Sequence, residues 1–142
     1  MYSIDEHLHR FAAWAASRAA SVIKCRFKVS DGKYIIENSG LDAVCRNINN
    51  LPLPKDFDLF HLKLRKNIIK ESNNINLYFT HGVAAKLINV YMKLIFVNSQ
   101  QFNLEKVKVI HPPIDSVLLE ELYKKDVGLK KNIWNKYRKI RW

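Results

Sequence analysis

Two side chains in the second half of the chain, a lysine and an aspartate, have types and positions suited to chemistry. Gly82 and Val83 open a helical pattern, and Lys86 falls in the first turn of the helix they predict. Asp115 follows Pro113 and precedes an apolar run with helical spacing. A deprotonated amine is a nucleophile, and a carboxylate can stabilise a sugar cation or assist proton transfer. The two residues therefore predict a reactive pair, provided that the two helix starts converge on one cleft.

Both residues also have simpler interpretations. Lys86 can be a solvated lysine on a helix face, since reactive lysines need a rare environment. Asp115 can be only the N-cap of its helix, because aspartate is among the preferred capping residues. Gly82, Val83 and Ala84 could instead offer backbone N–H groups to a phosphate at a helix start. The sequence leaves these alternatives open.

The chain carries a large excess of positive charge. Of its 142 residues, 24 are lysine or arginine and 13 are aspartate or glutamate, which gives a formal net charge of +11. Such an excess favours polyanions as partners, namely DNA, RNA or an anionic membrane surface. A merely basic globular protein is the simpler alternative.

Two groups of cations are the predicted contacts with a nucleic-acid backbone. One group lies on a face of a predicted helix, and the other lies in the C-terminal tail, where aromatic residues interleave with the cations. The residues singled out are Lys63, Lys66, Lys70, Lys130, Lys131 and Arg138. Cations bind phosphates without reading sequence, and aromatic rings stack on exposed bases. The alternative for the tail is a solvated helix whose aromatic residues dock on the core.

Cysteine usage and hydropathy argue against several other classes. Cys25 and Cys45 are the only cysteines, too few for a disulfide framework and without a Cys-x-x-Cys spacing. The first residues include acids and lack the apolar segment of a signal peptide. The longest apolar stretch, residues 87–97, is interrupted by Asn89 and Lys93 and does not predict a membrane span. We expect a cytoplasmic monomer with no cofactor, no metal and no membrane contact.

Helical periodicity dominates the chain, and strand alternation is hard to find. The longest predicted helices cover residues 4–23, 56–71, 83–97 and 114–124. In the first of them, Ala13, Ala16 and Ala20 form a stripe of methyl-sized side chains, which lets another helix approach closely. We therefore predict an all-α fold, a compact bundle of six or seven short helices in a single domain over residues 1–142, with the first helix at its centre.

Three further residues are candidate pocket residues. His81 and His111 each lie just before one of the two reactive segments, so both could line one pocket. Trp14 shares a helical stripe with His7 and Phe11. For the histidines, a capping or surface role is the simpler interpretation.

Two segments resemble the helix-hairpin-helix DNA glycosylases. Residues 82–89, GVAAKLIN, are similar to the Gly-Val-Gly-x-Lys-x-Ala segment of that superfamily. Residues 113–116, PIDS, are similar to its Pro-Val-Asp-Thr segment, which follows in the same order. The whole chain, with HRFAAW at residues 9–14, also resembles a set of small bacterial proteins, some of which look like glycosylases aimed at modified phage DNA.

The resemblance implies a fold, an activity and residue roles. The superfamily fold is a two-lobed helical bundle. In its bifunctional members the lysine attacks the sugar C1′ after the base has been flipped out of double-stranded DNA, and the aspartate stabilises the sugar cation. By resemblance Lys86 and Asp115 take these roles, in a DNA glycosylase with AP-lyase activity that serves DNA repair or phage defence.

The sequence also leaves two non-enzymatic hypotheses open. The first is a non-enzymatic, basic nucleic-acid-binding module in which Lys86 contacts phosphate and Asp115 only caps a helix. The second is a small interaction subunit whose alanine-rich first helix packs on a partner.

Overall fold

Seven α-helices and two short 3₁₀ turns form the part of the chain that the structure, a computed structural model, describes: residues 2–98, 104–112 and 116–125. The helices are α1 Ile4–Ala20, α2 Val29–Asn38, α3 Leu41–Cys45, α4 Phe57–Asn74, α5 His81–Phe96, α6 Glu105–Lys108 and α7 Ser116–Lys124. Within these ranges no strand forms, and the only β-type pairing is an isolated bridge between Val22 and Cys25. The prediction of an all-α bundle of six or seven helices is confirmed.

The contact between α1 and α5 is the most extensive between any two described helices, and α2 is the second neighbour of α1. Its contact face contains Ala13, Ala16 and Ala20, all of them buried. Because these side chains are so short, the backbones of α1 and α5 can approach closely. The central position predicted for this helix is confirmed, although it ends at Ala20, three residues earlier than expected.

The buried alanines bear on the interaction-subunit hypothesis. Inside the protein the alanine face of α1 already packs on α5 and α2. A partner could therefore meet only the opposite face of the helix, where Phe11 and Trp14 are exposed. The interaction-subunit hypothesis stays a prediction.

A polar cluster around His9 of α1 ties four helices together. The imidazole of His9 lies 3.0 Å from a carboxylate oxygen of Glu37 on α2 and 2.8 Å from the hydroxyl of Tyr91 on α5. Its Nδ1 is also 3.4 Å from a carboxylate oxygen of Asp42 on α3. Buried polar groups that satisfy one another favour a single arrangement of the elements carrying them. The cluster thus fixes how α1, α2, α3 and α5 meet.

A tight connection sets α5 against α4. After α4 the backbone N–H of Leu77 donates to the carbonyl of Ser72 at 2.9 Å, and the N–H of Phe79 donates to the Ser72 hydroxyl at 3.0 Å. Asn76 and Tyr78 adopt left-handed backbone conformations, with φ of 60° and 52°. The chain reverses here, so α4 and α5 run antiparallel. Residues 75–79 thus form a packed turn and not a strand.

One cluster of buried apolar side chains draws members from α1 through α6. Helix α5 contributes most densely, with Leu87, Ile88 and Met92 almost entirely excluded from solvent. Of the two thiols, Cys45 is buried and Cys25 partly buried, and burial raises the pKa of both. Among the described helices none is both long and apolar enough to cross a bilayer.

Helix α2 approaches α1 through a glycine. A Cβ built on Gly32 would overlap the Oγ of Ser17 and lie 2.7 Å from its Cβ. Ser17 is itself buried in α1, and its hydroxyl donates to the Ala13 carbonyl at 2.6 Å. Glycine is therefore required here by close packing, although it lies inside a helix, where it usually weakens the helix.

We predict that Gly32→Ala destabilises the protein by about 1–3 kcal/mol, since overpacking of a filled core costs that much. At an exposed helical position the same change would stabilise by roughly 1 kcal/mol through helix propensity, so the sign is diagnostic. Urea unfolding measures the effect. In the double variant Ser17→Ala/Gly32→Ala the loss should be smaller than the sum of the single losses; strict additivity would contradict the packing argument.

Candidate active site

A cavity of about 230 Å³ opens between α4, α5 and the segment that follows α6. The described residues that line it are Asp58, His61, Arg65, Ala85, Lys86, Asn89, His111 and Pro112. Cavities that hold drug-sized ligands are roughly 300–1,000 Å³. This one suits a smaller group, on the scale of a base, a sugar or a phosphate.

Helical spacing explains how each helix contributes to the cavity. Asp58, His61 and Arg65 are spaced by three and four residues, so they share one face of α4. Lys86 and Asn89 are three residues apart and share a face of α5. Because the two helices run antiparallel, these faces meet along their length, and both supply polar side chains.

A chain of hydrogen bonds crosses the base of the cavity. The Nδ2 of Asn89 donates to the carbonyl of Pro112 at 3.4 Å, and its Oδ1 lies 2.8 Å from Nε2 of His61. A carbonyl only accepts, so the amide orientation is fixed, and Nε2 of His61 must be the protonated nitrogen that donates to Asn89. This arrangement links α4, α5 and the segment after α6 through buried polar groups.

Two imidazoles lie against each other in the cavity. The ring centroids of His61 and His111 are 4.9 Å apart, and the ring of Phe57 is 5.2 Å from that of His111. The Nε2 of His111 lies 3.0 Å from a carboxylate oxygen of Asp58. Since the side chain of Asp58 is 90% exposed, this contact is at the rim, where ion pairs are worth little.

Burial lowers the pKa of His61 to about 4. The hydrogen bond to Asn89 opposes this shift in pKa, whereas the neighbouring His111 and Arg65 reinforce it. His61 is therefore neutral at pH 7, with Nε2 protonated and Nδ1 available as an acceptor. The cavity contains a histidine that can accept a proton or a hydrogen bond but adds no positive charge.

Arg65 is the second unusual group in the wall. Its Nε is buried and has no hydrogen-bond partner, the one such side-chain atom among the residues that the structure describes. A guanidinium keeps its charge at any pH relevant to a protein. Buried donors are nearly always paired, so this one needs an explanation.

Lys86 lies half-buried in the cavity wall, as the sequence prediction requires, but not in the first turn of its helix. Helix α5 begins at His81, two residues earlier than predicted, and Thr80 is its N-cap. Lys86 is therefore in the second turn, where the helix dipole has little effect. The sequence argument from the dipole is therefore wrong.

Asp115 and its neighbours at 113 and 114 lie outside the described residues. The last described residue before them, Pro112, is in the wall of the cavity and is held by Asn89. The pairing of Lys86 with Asp115 therefore stays a prediction.

Of the three candidate pocket residues, one lines this cavity. His111 does so, whereas His81 is exposed at the start of α5 and is not among the described wall residues. Trp14 is on the solvent side of α1, with 51% of its surface exposed, and its ring stacks on Phe11 at 6.2 Å. The stripe that carries Trp14 faces away from the alanine face of the helix.

Gly82, Val83 and Ala84 are all buried, which leaves them poorly placed as DNA contacts. The N–H of Val83 donates to the hydroxyl of Thr80 at 3.3 Å, and that of Ala84 donates to the Thr80 carbonyl at 3.0 Å. A phosphate at this helix start would need exposed N–H groups. The predicted phosphate cradle is not supported, because the helix starts earlier and buries these residues.

The predicted cationic contacts divide into described and undescribed residues. Lys63, Lys66 and Lys70 are exposed on α4, as expected for a backbone-binding face. The tail residues Lys130, Lys131 and Arg138 lie outside the described residues.

Of the eight described residues in the cavity wall, sequence reasoning predicted two as site residues, Lys86 and His111. Asp58, His61, Arg65 and Asn89 were not predicted as site residues. Their spacing on α4 and their shared face with Lys86 on α5 were visible in the sequence. Nothing in the sequence, however, showed that these two faces oppose each other.

Comparison with protein-family models, curated proteins and solved structures finds no match to this chain. Among the described residues, no group of three or more histidine, cysteine, aspartate or glutamate side chains is arranged to hold a metal ion. What the fold and the site define together is an all-α protein with a small, cation-lined cavity.

The titration of His61 makes stability depend on pH. The unfolded chain takes up a proton near pH 6.5, whereas folded His61 does so only near pH 4, so the unfolded state binds more protons between these values. We predict that the contribution of His61 is fully present above pH 6.5 and is lost on acidification to pH 4, by roughly 3 kcal/mol. Urea unfolding between pH 7 and pH 4 measures this loss.

His61→Gln should flatten this pH dependence, because glutamine does not titrate. His7→Gln, at an exposed histidine on α1, is the matched control and should leave the dependence unchanged. If His61→Gln and the natural protein lose stability equally on acidification, His61 is not held neutral.

Proposed function

We propose that the protein is a DNA glycosylase with AP-lyase activity, in which Lys86 is the nucleophile and Asp115 balances the charge of the sugar cation. The observation that carries this proposal is the position of Lys86 in a cavity wall that also includes His111 and Pro112, directly before the segment containing Asp115. Lys86 is half-buried and shares the cavity wall with another cation, Arg65.

The reaction would need few groups. The Nζ of Lys86 bonds to C1′ while the glycosidic bond from C1′ to the base breaks, and the base leaves with that electron pair and takes up a proton. The amine loses a proton, and opening of the sugar ring gives an imine between Nζ and C1′. The carboxylate of Asp115 would stabilise positive charge on the sugar and relay protons.

Charge and cavity size support DNA as the substrate class. The net charge of +11 and the exposed lysines of α4 favour a polyanion. A cavity of about 230 Å³ admits one extruded base or sugar but not a stacked base pair. The target base must therefore leave the duplex before it reaches Lys86.

A non-enzymatic nucleic-acid-binding module is the second candidate. The observation that favours it is the row of exposed lysines at 63, 66 and 70, which could hold DNA without any chemistry in the cavity. On this hypothesis the protein binds DNA but neither releases a base nor forms a covalent intermediate.

Lys86→Ala should abolish covalent trapping of the protein on DNA containing an abasic site when borohydride is present. Borohydride reduces the imine to a stable amine, so a gel shift under denaturing conditions reports the covalent bond directly. DNA affinity should fall by less than about threefold, because one phosphate contact at most is lost.

Lys93→Ala is the matched control for this experiment, since Lys93 is an exposed lysine on the same helix and its removal changes the charge equally. It should trap as the natural protein does. Trapping that persists unchanged in Lys86→Ala would exclude Lys86 as the nucleophile, and DNA binding without any trapping or base release favours the binding module.

Asp115→Asn should slow base release by about 10²–10⁴, because one essential charged group contributes that much to a rate. The measurement is release of free base from oligonucleotides that each carry one modified base, followed under single-turnover conditions. Normal release by this variant would remove Asp115 from the mechanism.

A further inference from the structure

The outer face of α1 carries two large aromatic side chains that lie outside the core. Phe11 and Trp14 have 46% and 51% of their surfaces exposed, and their rings stack with centroids 6.2 Å apart and planes 22° apart. The opposite face of the helix is buried against α5 and α2, so α1 cannot rotate to bring these rings inside. A contiguous exposed patch of large apolar side chains marks an interaction site more often than a single such residue does.

The start of the chain extends this patch into a strip of rings. The ring of Tyr2 lies edge-on to that of His7, with centroids 5.8 Å apart, and the guanidinium of Arg10 lies 5.1 Å from the centroid of the Tyr2 ring. Because His7, Phe11 and Trp14 are spaced by four and three residues, they share one face of the helix. We call Tyr2, His7, Phe11 and Trp14 the aromatic strip.

The charge near the aromatic strip has one sign. Residues 7–30 contain five cations and no acid. One of these cations, Arg10, is already paired, since its Nε donates to Glu6 at 2.6 Å. The other four lie one turn after Trp14 or in the segment from the end of α1 to the start of α2, and all are exposed: Arg18, Lys24, Arg26 and Lys28. Exposed rings followed by exposed cations are complementary to a polymer that carries both flat bases and phosphates.

We propose that the outer face of α1 binds single-stranded nucleic acid, with Phe11 and Trp14 stacking on unpaired bases and Arg18 contacting a phosphate. Within a duplex each base is stacked between its neighbours, so rings on a convex helix surface reach a base face only in a single strand. Every base has such a face, and the strip therefore binds without reading sequence.

The aromatic strip is separate from the cavity and does not depend on the proposed glycosylase chemistry. None of the described residues that line the cavity belongs to α1. Binding to the strip requires neither Lys86 nor a modified base. Since only the phosphate contacts release counterions, the part of the affinity that comes from stacking should persist as the salt concentration rises.

The experiment measures the binding of a labelled oligothymidylate of about twelve nucleotides by fluorescence anisotropy. This strand has no modified base and forms no duplex. Trp14→Ala should weaken its binding at least about fivefold, because one stack between a base and an aromatic ring contributes at least that much. Trp14→Leu, which retains apolar bulk but not a flat ring, should weaken binding similarly, whereas Trp14→Phe should stay within about threefold of the natural protein.

Tyr34→Ala is the matched control, because Tyr34 is an aromatic residue on α2 that is 41% exposed and lies outside the aromatic strip. It should bind the strand as the natural protein does. Arg18→Gln should reduce the slope of log affinity against log salt by about 0.7, the value for one phosphate contact with a single strand. Lys86→Ala should bind this strand normally, so failure of the strip and failure of the glycosylase mechanism are separate results.

Photo-crosslinking locates the strand on the protein. A strand that carries iodouracil in place of thymine crosslinks to the aromatic rings that it touches, and mass spectrometry of the peptides should find the crosslink at Phe11 or Trp14. Urea unfolding verifies that each variant is folded.

Undiminished binding by Trp14→Ala, full affinity of Trp14→Leu, an equal loss in Tyr34→Ala, or crosslinks found only elsewhere in the chain would each overturn the proposal. Self-association without nucleic acid that Trp14→Ala abolishes, measured by sedimentation, would overturn it as well, because the strip would then be a protein interface.

Discussion

The close approach of α1 to α5 is the constraint on which the rest of the structure depends. Three alanines let the two helices pack with almost no intervening side chain, and the surrounding residues of α5 fill the core. With that face of α5 occupied, Lys86 and Asn89 must lie on another side of the helix. Helix α4 covers part of this side, and the cavity is the space that remains between the two helices. The orientation of the polar wall thus follows from an apolar contact on the far side of α5.

The polar contacts then determine which segments meet at the cavity. His61, Asn89 and the carbonyl of Pro112 form one continuous line of hydrogen bonds, so α4, α5 and the segment after α6 are held by the same groups that form the cavity base. The His9 cluster plays the same part among α1, α2, α3 and α5. Apolar packing brings the helices together, and these two groups of polar contacts specify their register.

Local sequence patterns predicted the helices better than they predicted the site. Apolar periodicity gave α4 and α5 to within three residues, and the alanine stripe identified the central helix. Helix α5 begins earlier than the sequence pattern predicts, because its N-cap is Thr80 and Gly82 lies inside the first turn. Lys86 and His111 were found because each stood next to a recognisable segment. Arg65 and His61 were not, since their importance arises from a neighbour that is distant in the chain, and no local pattern encodes that proximity.

The side chains of the cavity wall fall into two sets, which differ in how strongly the fold depends on them. His61 and Asn89 are buried and bonded to the frame of the bundle, so their replacement would disturb the fold together with the site. Asp58 stands at the mouth, with its side chain 90% exposed, and supports little else. Substitutions at Asp58 should therefore have little effect on folding. The same fold could therefore acquire a new ligand preference through substitutions at the mouth of the cavity, while His61 and Asn89 stay unchanged.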